Sequence, residues 1–154
     1  MNPSYKIPRS VLVVIHTPDL QVLMMQRAGW PEFWQSVTGS VAREDEPLLD
    51  TAVREVREET GLDATRFDLR DWDIENRFEI FMKHRSRYAP GVTHNVERVF
   101  SMSAPEPLAV TLDPAEHLSY EWLPWRDAAA LTISWTNRDA ILALPKRQAG
   151  VRAR

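Results

Sequence analysis

Residues 47–61 read PLLDTAVREVREETG, the clearest helical period in the chain. Pro47 suits the first helical position, where its missing N–H costs nothing, and Gly61 suits the left-handed residue just past a helix end. At about 100° per residue, Leu48, Leu49, Ala52, Val53 and Val56 fall on one stripe of roughly 140°, the expected core face. Glu55, Glu58 and Glu59 stand at i, i+3 and i+4, which crowds their carboxylates together. Glu59 projects inside the apolar stripe, about 20° from Leu48. Packing alone does not place a solvated carboxylate there. Like charges at i, i+4 also destabilise a free helix by roughly 0.2–0.5 kcal/mol. A divalent cation between them reverses the sign of that interaction and offsets desolvation. The competing reading is a solvated face laced by the favourable Asp50–Arg54 and Arg54–Glu58 pairs. All-oxygen ligation points to Mg²⁺ or Mn²⁺ rather than zinc, the usual equipment for phosphoryl chemistry.

On the N-terminal side, Ser10–His16 (SVLVVIH) is a nearly continuous apolar run, read as a strand covered on both faces. Val22–Gln26 follows a short turn and is expected to pair with it as a hairpin. An aromatic loop around Trp30, Phe33 and Trp34 then leads into residues 35–41. On the C-terminal side, 72–81, 97–102 and 117–123 are strand candidates, and 125–131 and 137–144 are helix candidates. Interleaved strands and helices predict an α+β fold, with a mixed sheet sandwiched between helices.

The 154 residues suit one domain, expected over 5–145, with 146–154 a flexible tail. Nineteen Lys and Arg against 22 Asp and Glu leave a net charge of −3, without the basic excess of a nucleic-acid binder. Cysteine is absent, which excludes a disulfide scaffold, a thiol nucleophile and Cys-ligated zinc. His84, His94 and His117 show no ligand spacing. The longest strongly apolar run, Val11 to Ile15, is far short of the ~20 residues that span a bilayer. No stretch reads as a signal peptide, so a cytoplasmic protein with no membrane partner is expected.

The constellation resembles the Nudix hydrolases, whose box has the form G-x5-E-x7-R-E-U-x-E-E-x-G-U, with U a bulky apolar residue. Here Gly39 is followed by Glu46 and then by Arg54-Glu55-Val56-Arg57-Glu58-Glu59-Thr60-Gly61-Leu62. Six residues rather than five separate Gly39 from Glu46, and Glu44 and Asp45 are alternative occupants of that position. Outside the box, FWQSVTGSV (33–41) and RYAPGVT (87–93) are similar to the branch of the family that removes pyrophosphate from a pterin triphosphate in folate biosynthesis.

By that resemblance Glu55, Glu59 and Glu116 would ligate the metal, Mg²⁺ with Mn²⁺ as the alternative. Lys6, Arg27, Thr38, the segment Phe78, Glu79, Ile80 and Phe81, and Ser134 would contact the substrate. Glu55, Glu58, Glu59 and Glu116 would form the catalytic set, with the general base among them left open. Arg54, on the other side of the helix from Glu59, would brace the loop around Glu46. The rings of Trp30, Trp34 and Phe78–Phe81 could face a flat heterocycle or simply fill core. The implied reaction is Mg²⁺-dependent hydrolysis of a small-molecule triphosphate, with no nucleic-acid polymer as partner and the oligomeric state open. A housecleaning pyrophosphatase acting on nucleoside triphosphates is the alternative within the family. A non-catalytic ligand sensor is the alternative outside catalysis.

Overall fold

Arg9–His16 forms strand β1, and from Ser10 onward every residue is buried. Val11, Val13 and Ile15 pack on one side of the sheet, and Leu12 and Val14 on the other. The period of two along a strand thus feeds two cores, one under each helical layer. The computed structural model describes residues 4–152, with side chains as far as Gln148. After β1 come β2 (Gln21–Arg27), β3 (Trp34–Gln35), β4 (Val37–Ser40), α1 (Leu48–Thr60) and β5 (Asp68–Glu79). Then follow β6 (His94–Ser103), β7 (His117–Pro124), α2 (Trp125–Leu131) and α3 (Trp135–Arg152). α1 covers the Val11 side with Ala52 and Val56; α2 and α3 cover the Leu12 side with Ala128, Ala129, Ile141 and Leu144. This is the expected mixed sheet between helices. Among the described residues no helix is long and apolar enough to cross a membrane.

The seven described strands make one sheet in which β1 runs parallel to β6, and β6 antiparallel to β5. The expected hairpin is only a corner, since β1 and β2 meet at the single pair His16↔Val22. β4 occupies the rest of that edge, from Ser10↔Ser40 to Val13↔Val37. Each edge N–H and C=O can be used once, so β2 diverges and pairs with β7 from Gln21↔Pro124 onward. That divergence opens the space in which the site lies.

Two helices differ from the expected reading. Pro47 is the cap of α1 rather than its first residue, and its carbonyl accepts the N–H of Thr51 at 3.0 Å. Leu49 is 54% exposed, whereas Thr51 is fully buried. The inner face of the first turn is rotated toward Thr51 because its hydroxyl donates to Glu46 Oε1 at 2.7 Å. α3 begins at Trp135 and passes through Pro145 to Arg152, so the expected loose tail is helical that far; residues 153–154 lie outside the described residues. Tertiary contacts compensate for the bond that proline removes. The Arg147 guanidinium lies 4.8 Å from the centre of the Trp72 ring, and Gln148 Nε2 donates to the Pro18 carbonyl at 2.8 Å.

The entrance to α1 is clasped. Buried Glu46 accepts from the Ala42 N–H at 2.9 Å and from Arg54 at 2.9 and 3.1 Å. Arg54 also donates to the Ser40 carbonyl at 3.0 Å, tying the end of β4 to the helix. Glu46, rather than Glu44 or Asp45, makes this contact, and the longer loop is taken up by exposed residues where Arg43 and Asp45 pair at 2.8 Å. The Arg54 hydrogen bonds hold the Glu46 carboxyl down at about 2 against an ordinary 4.5, with burial opposing. A depressed carboxyl contributes stability above its unfolded value and loses it as the pH falls through the folded one. Glu46→Gln should therefore lower resistance to urea at pH 7, and the gap from the unsubstituted chain should close between pH 4.5 and about 2.

Candidate active site

Glu55 and Glu59 are carried on the inner side of α1, facing the end of β4. Gly39 on β4 lies directly beneath Glu55: a Cβ there would come within 2.0 Å of the Glu55 carboxyl carbon. Only glycine leaves the acid its place. Glu59 is 5% exposed, and its Oε1 has no hydrogen-bond partner; the nearest cationic candidate, His117 Nε2, is 3.8 Å away. Burial first, then the charge of Glu55 and a proton shared with it, push the Glu59 carboxyl well above the ordinary range. The Thr38 backbone N–H pulls weakly the other way. Glu55 is also raised by burial, while hydrogen bonds from Glu59 and Arg54 oppose the shift.

Two carboxyls pressed together out of water, one with an orphaned oxygen, fit a hard divalent cation. The other acids are placed differently. Glu58 is 57% exposed and reaches Arg54 at 3.4 Å on the outer side of the helix. Glu116 lies exposed just before β7, and its charge acts on Lys6, Arg27 and Glu59. Among the described residues no three carboxylates or histidines converge into a ready-made cage. The acids that lie closest together are Glu55 and Glu59, with Glu116 standing off.

Next to the pair opens a cleft of about 480 Å³. Lys6, Arg27, Thr38 and Ser134 line it, as does the whole segment Phe78, Glu79, Ile80 and Phe81, so all eight expected substrate contacts come together. The Lys6 N–H bonds the Arg87 carbonyl at 2.8 Å, which ties the N-terminal segment to the basic turn after β5. Burial, then Arg87, then Arg27 lower the Lys6 ammonium. Burial, then Arg87 lower the Arg27 guanidinium. Three crowded cations thus stand beside two buried carboxyls, a juxtaposition that suits an anion next to a cation. Arg27 is steadied by Gln35 Oε1 at 3.3 Å and by the Phe33 ring at 5.5 Å.

Trp30, Phe33, Phe81 and His84 form an aromatic cluster at the rim, with centroids 5.3–6.3 Å apart. Burial and then the neighbouring Arg27 lower the His84 ring to about 4, so it is neutral near pH 7. Trp34 belongs instead to the core beneath α3.

The floor of the cleft has no counterpart among the sequence expectations. Asn95 and Glu97 share the face of β6 on which Val99 packs, where an apolar residue would ordinarily sit. A polar pair on an otherwise apolar strand face is the signal that the chain offers for them. Arg87 also lines the cleft, a role that its place in a basic turn does not announce.

Residues 6–144 match the NUDIX domain family. Dihydroneopterin triphosphate diphosphatase of Escherichia coli (strain K12) is 49% identical over 140 residues, covering 89% of this chain and 91% of that one. The protein of the same name from Haemophilus influenzae is 40% identical over 140 residues, covering 89% and 87%. Among solved structures, the E. coli dihydroneopterin triphosphate pyrophosphohydrolase superposes with a TM-score of 0.84 at 48% identity, over 90% of this chain and 95% of that one. With the family match running from Lys6 to Leu144 across the clasp, the acid pair and the cleft, the chain belongs to the NUDIX domain family.

Proposed function

We propose that this chain is a cytoplasmic dihydroneopterin triphosphate diphosphatase, hydrolysing its substrate to dihydroneopterin monophosphate and pyrophosphate with Mg²⁺. The observation that carries the reading is near-half identity to an enzyme of that name along 89% of the chain. The site supports it, because a row of cations joins a carboxyl pair to a cleft large enough for a heterocycle.

Hydrolysis of a phosphoanhydride needs charge neutralised on the phosphates and a water held in line. Nudix hydrolases generally use a divalent metal. Glu55 and Glu59 would hold it, with Glu116 as a third ligand, and the cation when bound neutralises phosphate charge and acts as a Lewis acid. Arg27 offers the phosphates a planar fork, Lys6 a point charge, and both are pre-positioned by burial. Arg54 and Gly39 touch no substrate in this scheme; they fix where the carboxyls point. Ser134 and the segment 78–81 border the ring, while the neutral His84 and the rim aromatics exclude water. The complete acid set on α1 argues against a non-catalytic sensor.

Measured with Mg²⁺, kcat/KM for dihydroneopterin triphosphate should exceed that for any common dNTP, including an 8-oxo-purine; a dNTP ahead by tenfold or more would reverse the substrate assignment. Glu59→Gln keeps the shape but removes the charge, and should lower kcat by roughly a hundredfold or more, the equivalent of losing several kcal/mol of transition-state stabilisation. Pyrophosphate release that survives that substitution unchanged would remove the metal model.

A further inference from the structure

Gln35 lies on the short strand β3 opposite the core residue Met25, yet it carries a polar amide that is only 4% exposed. The polar atoms of that amide all face residues of the site. Its Oε1 accepts from Arg27 Nη1 at 3.3 Å, and its Nε2 donates to Thr38 Oγ1 at 3.2 Å. The same Nε2 lies 3.5 Å from His117 Nε2, which in turn faces Glu59. One buried amide thus joins β2, β4 and β7 where they border the acid pair. Steadying Arg27 accounts for only one end of it.

The direction of this chain of hydrogen bonds is set at its Arg27 end. A guanidinium has only donors, so the amide must turn its oxygen toward Arg27 and its N–H groups the other way. Thr38 Oγ1 then receives a hydrogen bond, which leaves its own hydroxyl hydrogen uncommitted. Among the described residues that hydroxyl has no other partner, and Thr38 lines the cleft. Its backbone N–H meanwhile bonds the Glu59 carboxyl, which pins the residue between the acid pair and the cleft. We propose that Gln35 is a positioning residue: by donating to Thr38, it makes the Thr38 hydroxyl a donor aimed at a phosphate oxygen of the substrate. An ionised phosphate oxygen only accepts, so the hydroxyl is useful to it in one polarity alone. Through Gln35, a cation on the phosphate edge orients a second, neutral donor. The inference rests on the triphosphate reading of the cleft and adds the residue that sets the polarity of Thr38.

The test is a double-mutant cycle read as kcat/KM for dihydroneopterin triphosphate with Mg²⁺. Thr38→Val removes the hydroxyl at nearly constant shape and should cost about tenfold or more, because a hydrogen bond to a charged oxygen is lost. Gln35→Glu keeps the shape and the acceptor for Arg27 but offers Thr38 a second acceptor, so the hydroxyl turns away from the substrate. In that background Thr38→Val should cost less than about twofold. The added negative charge lowers activity in both arms and cancels from the comparison. In Gln35→Met the thioether is only a weak acceptor, so Thr38→Val should again cost about tenfold. A Thr38→Val cost that is the same with Gln35→Glu as without it would overturn the inference. So would a Thr38→Val that leaves the unsubstituted enzyme unchanged, or a cost that vanishes in Gln35→Met too, the sign of a displaced β4. Neutron diffraction from deuterated crystals of the unsubstituted enzyme with pyrophosphate needs no variant. The Thr38 hydroxyl deuteron should point to a phosphate oxygen, and one pointing to Gln35 would overturn the assignment. An unsubstituted enzyme that releases no pyrophosphate from dihydroneopterin triphosphate would overturn the parent reading, whereas release with Gln35 and Thr38 uncoupled would sink this inference alone.

Discussion

Glu55 and Glu59 are pressed against one another, largely out of water, where two negative charges repel and neither is fully hydrated. Left to itself such a pair would swing out into solvent or loosen the end of the helix. Three features prevent this. Gly39 leaves a hollow that the Glu55 carboxyl fills. Arg54 reaches past Glu55 to Glu46 and to the Ser40 carbonyl, so one guanidinium ties helix, loop and strand. Beneath them the apolar residues of α1 are anchored on β1. The stability of the clasp thus holds in place a local arrangement that is unfavourable on its own.

The sheet divides the labour of the site. Gly39 and the acid pair belong to the face covered by α1, whereas Asn95 and Glu97 share the face covered by α3. The divergence of β2 from β1 exposes the edge where the two faces meet, and Lys6, Arg27 and Arg87 gather there.

Much of this is legible in the amino-acid sequence. A carboxylate inside an apolar helical stripe, Glu59, marks the buried acid, and the apolar run of β1 marks a covered sheet. What escapes depends on non-local facts. Which strand takes the free edge of β1 is decided by competition between β2 and β4, and neither carries a local mark of the outcome. Pro145 reads as a helix end, yet Arg147 and Gln148 find partners on Trp72 and Pro18 far away in sequence. Leu49 matches the helical period but loses its place to Thr51, because a hydroxyl is needed against Glu46. Glu97 reads as an ordinary strand residue, since its burial and its unpaired oxygen arise only where α3 closes over it.

The central claim is that the pair on α1 is a cation site. Diffraction from crystals grown with Mn²⁺, recorded at the manganese edge, tests it directly. An anomalous peak is expected about 2 Å from carboxylate oxygens of both Glu55 and Glu59, with the two side chains separated by the ion. Saturating Mn²⁺ that leaves the two carboxyls in mutual contact, with the peak elsewhere or absent, would contradict it.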